Sequence, residues 1–307
     1  MKILVTGGAG FVGSHVVDHY LDAGHDVAVV DDLYTGRREN VDARARFYHA
    51  DIRSRRLWDI LDAERPDVVN HHAARADVRA SMEDPATYAD VNVTGGINLL
   101  EASRRAGVRK IIYASTGGCV YGELRRVPAD ESHPIAPRDP YGASKAAFEL
   151  YLPIYSQHWQ LRYTILRYPN VYGPRQDPHG EAGVVAIFLG QMLTGSSTVV
   201  NGDGLQERDF LYVADVARAN LAALHGGDGE AFNLGHGQGV SVLALHDALA
   251  ALTGYREQRR HGPAKAGEIP RSALDASKIA RALGWKPEVA LDEGLRRTVA
   301  YFRARGG

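Results

Sequence analysis

Cysteine is nearly absent: Cys119 stands alone among 307 residues. The chain can therefore close no internal disulfide and build no cysteine-ligated zinc centre. Charge of one sign is also lacking, since 36 Lys and Arg face 37 Asp and Glu. That balance gives no general electrostatic reason to bind nucleic acid or an acidic membrane. No apolar run approaches the ~20 residues of a membrane-spanning helix. The opening Met1-Lys2-Ile3-Leu4-Val5 reaches Gly7-Gly8 too soon for the core of a secretory signal. The cytoplasm is thus the expected compartment, where the sequon Asn92-Val93-Thr94 has no consequence. Internal repeats, low-complexity tracts and linkers are missing as well. Histidines are plentiful, but no metal is expected. His15 and His19 are four apart and His71-His72 adjacent, yet neither pair has a nearby third ligand or a His-Glu-x-x-His pattern. Ser144 lacks a nucleophile-elbow context, and Cys119 reads as a small buried residue.

Hydrophobic residues make up 45% of the sequence, enough for a sizeable core in one large domain or two coupled lobes. Ile3-Leu4-Val5 reads as a buried strand. It runs into Gly7-Gly8-Ala9-Gly10-Phe11-Val12-Gly13, an amphipathic helix to Leu21 stopped by Gly24, and a strand over Val27–Val30 ending at Asp31-Asp32. The glycines permit a tight turn and let cofactor phosphates approach a helix N-terminus, where free N–H groups and the dipole favour anions. Asp31 follows Gly13 by 18 residues and is placed to accept from adenosine ribose hydroxyls. Its carboxylate disfavours a 2′-phosphate and so favours NAD over NADP, an effect that Arg37 and Arg38 can soften. A glycine-rich turn also occurs in α/β proteins without a dinucleotide; here strand, glycines, helix, strand and acid agree in order. Strands at Phe47–His49, Asp67–Asn70 and Lys110–Tyr113 alternate with helices over 54–65 and 85–106. The expected fold is α/β, a doubly wound parallel Rossmann sheet with a smaller C-terminal α/β lobe. Ligands on such sheets bind beyond the strand C-termini. The glycine turn, Asp31, Asp51, Ala73, Ser115 and Thr116 should therefore gather along one edge.

Near the middle, Tyr141-Gly142-Ala143-Ser144-Lys145 opens a helix running to about 160. Tyr141 and Lys145 are four apart and share a helix face. Moving a phenol from pKa ~10 to about 7 requires roughly 4 kcal/mol of differential stabilisation. One positive charge ~5 Å away at an effective dielectric of about 20 supplies around 3 kcal/mol. The pair is thus a candidate general base, although a surface Tyr and Lys at this spacing would look the same. Beyond it the sequence predicts a strand at Tyr163–Leu166, a loop Tyr168–Gln176, an aperiodic stretch 177–183, and a helix over Val184–Leu193. A turn at Gly202-Asp203-Gly204, a strand at Phe210–Val213 and helices over 214–224, 241–252, 275–284 and 291–304 follow. This half supplies a basic set: Arg175, Arg208, Lys265 and Arg271.

The ordered stretches Thr6–His15, Asp31–Gly36, His71-His72-Ala73-Ala74, Val120-Tyr121-Gly122-Glu123, Tyr141–Lys145, Asn170–Gln176 and Arg208-Asp209-Phe210 carry a resemblance. The chain resembles the extended short-chain dehydrogenase/reductases, and within them the UDP-glucose 4-epimerases of the NAD-dependent epimerase/dehydratase family. The resemblance implies tightly bound NAD, a UDP-sugar substrate, a homodimer built on the helices near 85–106 and 141–160, and neither nucleic acid nor membrane as partner. It implies an NAD domain of 1–168 with about 209–236, and a sugar-nucleotide domain of 169–208 with 237–307. Tyr141 would take the proton of the sugar 4-hydroxyl while Lys145 holds the nicotinamide ribose and lowers the tyrosine pKa. At the cofactor the resemblance sets Gly7, Gly10, Phe11, Val12, Asp31, Asp32, Tyr34, Thr35, Gly36, Asp51, Ile52, His72, Ala73, Ala74, Asn92, Ser115, Tyr141, Lys145 and Tyr168. At the substrate it sets Arg79, Thr116, Gly117, Tyr141, Asn170, Gly183, Val184, Val185, Arg208, Lys265, Glu268 and Ser272.

Three departures from the family's pattern follow. Gly117 stands where many relatives carry a catalytic Ser or Thr, so either Thr116 supplies that hydroxyl or Tyr141 acts alone. Lys265 stands at the usual phosphate-binding arginine and loses the bidentate fork, so the clamp is weaker or Arg271 contributes. Ser272, at the position that gates the sugar C2 substituent, is small and implies tolerance for 2-acetamido sugars. Competing expectations are UDP-glucuronate 4-epimerisation, 4,6-dehydration, and a catalytically idle NAD-binding regulator. The dehydratases' Asp-Glu after the threonine is absent, since Gly117-Gly118 follows Thr116.

Overall fold

The computed structural model describes residues 1–178, 183–264 and 269–305. The first half alternates strands and helices: β1 (Lys2–Thr6), α1 (Phe11–Asp22), β2 (Asp26–Asp31), β3 (Arg46–His49), α2 (Arg56–Glu64), β4 (Val68–His71), α3 (Val78–Glu83), α4 (Pro85–Ala89), a π turn (Asp90–Thr94), α5 (Gly95–Ala106), β5 (Lys110–Thr116), α6 (Gly117–Val120), α7 (Pro140–Trp159) and β6 (Arg162–Tyr168). There follow β7 (Asn170–Tyr172), α8 (Val184–Leu193), β8 (Val199–Asn201), β9 (Glu207–Arg208), β10 (Phe210–Tyr212), α9 (Val213–Ala223), β11 (Glu230–Asn233), β12 (Val240–Ser241), α10 (Val242–Thr253), β13 (Arg260–Gly262), β14 (Arg271–Ser272), α11 (Ser277–Leu283) and α12 (Leu291–Ala304).

Among the described residues the main sheet has seven strands in the order β11-β6-β5-β4-β1-β2-β3. Every neighbouring pair is parallel. Its inner strands β1, β2, β4 and β5 carry apolar runs because both faces are covered. Ile3, Val5, Val27 and Val29 pack on one face with Val16, Val17 and Tyr20 of α1, Val216 and Ala219 of α9, and Ile279 of α11. The alternate residues Leu4, Val30, Val69 and Ile111 pack on the other with Leu57 and Leu61 of α2, Leu99 and Leu100 of α5, and Phe148 and Leu152 of α7. A third core joins Phe188 and Leu189 of α8, Leu245 and Leu249 of α10, Leu295 and Phe302 of α12, and Phe210. The α11 helix lies in the segment read from sequence as the second lobe, yet it packs on the main sheet.

The helix expected over 85–106 is interrupted. Its middle is a π turn, Asp90–Thr94, the kind of inserted residue that appears at functional sites. The expected strand at Phe210–Val213 is present as β10, and other small strands lie in stretches not read as strands. β7 pairs with β10, β9 with β12 and β14, and β8 with β13; at two or three residues each they have no readable period. Among the described residues no helix is long and apolar enough to cross a membrane.

Candidate active site

A cleft follows the carboxyl ends of β1 to β5, as the strand order requires. Its lining includes Gly7, Gly10, Phe11, Val12, Asp31, Asp32, Thr35, Gly36, Asp51, Ile52, His72, Ala73, Ala74, Ser115, Tyr141, Lys145 and Tyr168. Two residues expected there do not line it. Tyr34 is 67% exposed and lies under the Arg75 guanidinium, 3.5 Å from its ring centroid. Asn92 is 2% exposed and stands behind the wall, bonded to the Arg75 backbone and to Ser144. Arg75 itself lines the cleft and was missed. Its only sequence signal was its position just after Ala74, at the strand edge.

The glycine turn is sterically committed. Gly7 has φ +70°, and a Cβ there would sit 2.6 Å from Ala73 N. A Cβ on Gly13 would sit 2.2 Å from the Gly7 carbonyl oxygen. These contacts bring the β1 turn against the β4 turn and against the start of α1. Gly10 caps α1 without a side-chain hydrogen bond, so the first amides of a twelve-residue helix have no capping group of their own and face the cleft through Phe11 and Val12. Asp31 is 6% exposed; Oδ2 accepts from Ala9 N at 2.9 Å and Oδ1 from Leu33 N at 2.8 Å. Burial raises its carboxyl pKa, against these two bonds. A Cβ on Gly36 would meet Asp31 Oδ1 at 2.6 Å, so glycine there keeps the carboxylate approachable. Uncapped amides, a cradle without side chains and a buried acid fit a dinucleotide with a diphosphate at α1 and a ribose at Asp31. Neither Arg37 nor Arg38 is aimed at that acid: Arg37 pairs with Asp177 at 3.2 Å, and Arg38 lies over Phe47 at 4.7 Å. We predict that Gly13→Ala abolishes retention of NAD through gel filtration, because the clash is with backbone and cannot relax by a rotamer change. Absorbance of acid-released cofactor checks it.

At the other end of the cleft, Asp139 caps α7 and accepts from Gly142 N at 2.7 Å. Tyr141 thereby falls in the first turn, where the helix dipole favours a phenolate, although the nearby Asp139 carboxylate opposes it. Lys145 is 3% exposed, with Nζ 4.4 Å from the Tyr113 ring centroid. The two histidines beside it are held neutral, first by burial and then by the Lys145 charge: His72 is lowered to about 3 and His71 also lies well below its usual range. His72 Nε2 bonds the Tyr168 hydroxyl at 3.1 Å, and Asn220 Nδ2 donates to the same oxygen, which fixes the Tyr168 ring at the cleft. Ser115 Oγ donates to Glu149 Oε1 at 2.5 Å, and Glu149 is in turn paired with Arg167.

Thr116 ends β5 beside this group. Its side chain is hydrogen-bonded to the Cys119 thiol, which burial, and then Asp139, push up to about 12. Gly117 has a steric reason: a Cβ there would lie 2.3 Å from Leu274 Cδ1, and Leu274 is fully buried. Asn170, Arg208 and Ser272 meet through backbone bonds. Asn170 N donates to Asp209 O, Asp209 N donates to Ser272 O, and Ser272 pairs with Arg208 in register. Arg208 Nη1 donates to Glu207 O and Ile269 O, both at 2.8 Å. Gly183 caps α8, with Val184 and Val185 in its first turn, and Arg79 is exposed in α3. Lys265 and Glu268 lie outside the described residues. Of the basic set, Arg175 pairs with Asp18 of α1 at 2.8 Å, and Arg271 pairs with Glu207, the neighbour of Arg208, at 2.9 Å. Among the described residues no cluster of His, Cys, Asp and Glu could hold a metal ion.

A doubly wound sheet with a bare glycine turn, a buried acid after β2 and a Tyr–Lys helix facing one cleft defines a dinucleotide-binding fold. The chain belongs to the NAD dependent epimerase/dehydratase family, whose profile matches residues 3–235. It is 44% identical over 309 residues to the UDP-glucose 4-epimerase of Mycolicibacterium smegmatis, covering 99% of both chains. The Thermotoga maritima UDP-glucose 4-epimerase, solved with UDP-glucose, superposes with a TM-score of 0.98 at 47% identity over 99% of each chain. The Thermus thermophilus UDP-glucose 4-epimerase, solved with NAD, gives 0.95 at 45% identity over 99% of each.

Proposed function

We propose that the protein interconverts UDP-glucose and UDP-galactose by NAD-dependent 4-epimerisation through a transient 4-keto sugar. The observation that carries this reading is that Tyr141 and Lys145 face the same cleft as the glycine turn and Asp31. Whole-length similarity to epimerases solved with UDP-glucose and with NAD supports it. Bound NAD supplies a hydride acceptor and donor at one carbon. The chain's own residues do the rest. Tyr141 removes the proton of the 4-hydroxyl and returns it to the same oxygen once the sugar has turned over. Lys145, desolvated and flanked by neutral histidines, keeps a positive charge near the phenolate and holds the nicotinamide ribose. Asn170 and Arg208 hold the diphosphate while the sugar turns, and Ser272 leaves room at C2. Residues 1–168 with about 209–236 serve the dinucleotide; 169–208 with 237–307 serve the sugar nucleotide. A homodimer through α7 is supported by Leu150 and Ile154, one helical turn apart and 71% and 47% exposed. The cytoplasm is its proposed compartment.

The test is incubation with UDP-galactose without added NAD, followed by NMR. UDP-glucose is the expected product, and a 4-keto-6-deoxy sugar would move the protein to 4,6-dehydration. UDP-N-acetylglucosamine and UDP-glucuronate are the next substrates to offer. Thr116 is proposed to orient the sugar oxygen in place of the hydroxyl absent at 117. Thr116→Ala is then expected to lower kcat by about 10- to 100-fold, the loss of one directed hydrogen bond to a charged oxygen. A loss under about twofold would mean that Tyr141 acts alone.

A further inference from the structure

Arg75 makes a link that the proton chemistry above does not use. One side chain grips its backbone: Asn92 Oδ1 accepts from Arg75 N at 2.8 Å, and Asn92 Nδ2 donates to Arg75 O at 2.9 Å. Asn92 Nδ2 also donates to Ser144 Oγ of α7 at 2.9 Å, so the Arg75 peptide is tied to the Tyr141 helix. The side chain leaves this anchor for the segment after β2. Its Nη2 lies 3.0 Å from Asp32 Oδ2, and its guanidinium carbon stands 3.5 Å from the Tyr34 ring centroid. In the sheet β1 lies between β4 and β2. A side chain reaching from the β4 loop to the β2 loop therefore crosses the carboxyl end of β1, where the glycine turn begins. Arg75 and Asp32 both line the cleft. The Arg75 side chain is only 15% exposed, and its planar cation meets a carboxylate and an aromatic face at once, which a lysine could not do equally well.

We propose that the Arg75–Asp32–Tyr34 bridge is a latch across the dinucleotide cleft that sets how long NAD stays bound, with Arg75 its positioning residue. The proposal rests on reading this cleft as the dinucleotide site. Both contacts must break before the β2 and β4 loops can part, so the bridge acts on dissociation more than on association. A redox-neutral reaction gains from such retention, because the same cofactor molecule must remain through each turnover.

The test is the rate at which purified protein, loaded with NAD and rapidly desalted, releases the nucleotide, read by an enzymatic assay for free NAD. Arg75→Ala is expected to release NAD about 10- to 100-fold faster than wild type, as loss of a charge-assisted bond and a cation–π contact implies. Arg75→Lys falls between them, and Tyr34→Ala, a change at an exposed ring, also releases faster. The Arg75→Ala/Asp32→Asn double variant releases no faster than Arg75→Ala alone, because both remove the same link; a merely structural effect would not show this. Release from Arg75→Ala at the wild-type rate, or multiplied effects in the double variant, would overturn the latch. Wild-type protein that takes up no NAD would overturn the cleft reading and the latch with it.

Discussion

Tyr141→Phe will lower turnover of UDP-galactose by about 10²- to 10⁴-fold, the usual worth of a positioned general base, while UDP-sugar affinity changes little. The substitution keeps the ring and removes the hydroxyl proposed to take the 4-hydroxyl proton. The neighbours cannot replace it. His71 and His72 are neutral, but burial and the Lys145 charge make them poor bases, with His72 lowered to about 3. The Cys119 thiol is pushed up to about 12 and stays protonated at neutral pH. Tyr141, by contrast, has the buried Lys145 one turn away and the positive end of α7 to favour its anion. Steady-state kinetics beside calorimetric titration with UDP-sugar separates the two effects, and a fall in kcat below about tenfold would mean that another base acts.

The second large effect concerns stability. Glu149→Ala is expected to destabilise the protein by about 3–5 kcal/mol, the cost of stranding the partner of a buried ion pair. Glu149 and Arg167 are 7% and 8% exposed, with Nη2 and Oε2 2.5 Å apart. Arg167 also donates to the Tyr121 hydroxyl, which donates to Asn233, so the deletion unties α7, β6 and β11 together. Its other partner, Ser115, sits at the cleft end of β5, so cofactor retention should weaken too. The exposed pair Arg296–Asp292, 52% and 72% accessible, provides the contrast: Asp292→Ala is expected to change stability by under about 1 kcal/mol. Urea unfolding of both variants decides, and equal midpoints would refute the distinction.

Much of the cofactor half was legible because its signals are local. A strand, a glycine turn, a helix, a strand and an acid lie within 31 residues, and the parallel sheet then carries every post-strand residue to one edge. What was not legible depended on side chains meeting across the fold. Arg75 follows Ala74 without any local mark, and its reach to Asp32 and Tyr34 is a tertiary fact; the same contact turns Tyr34 outward. Asn92 was assigned to the cofactor, but the π turn that carries it breaks an otherwise helical pattern and sets it behind the wall. The strand β11 was missed because Glu230-Ala231-Phe232-Asn233 is a four-residue edge strand with polar ends. On the substrate side, Asn170, Arg208 and Ser272 are joined by strands too short to have a period. The missing hydroxyl at Gly117 makes steric sense only once Leu274 is seen to fill the space beside it.

The most direct test of the central claim follows the hydrogen on the sugar carbon. UDP-galactose bearing deuterium at C4 is converted in ordinary water without added NAD, and the UDP-glucose formed is examined by NMR. Removal and return of a hydride at one carbon within a closed site predicts full retention of deuterium at C4. Replacement by solvent hydrogen would contradict it, since that requires the carbon to be deprotonated and would leave the retained nicotinamide cofactor without a role.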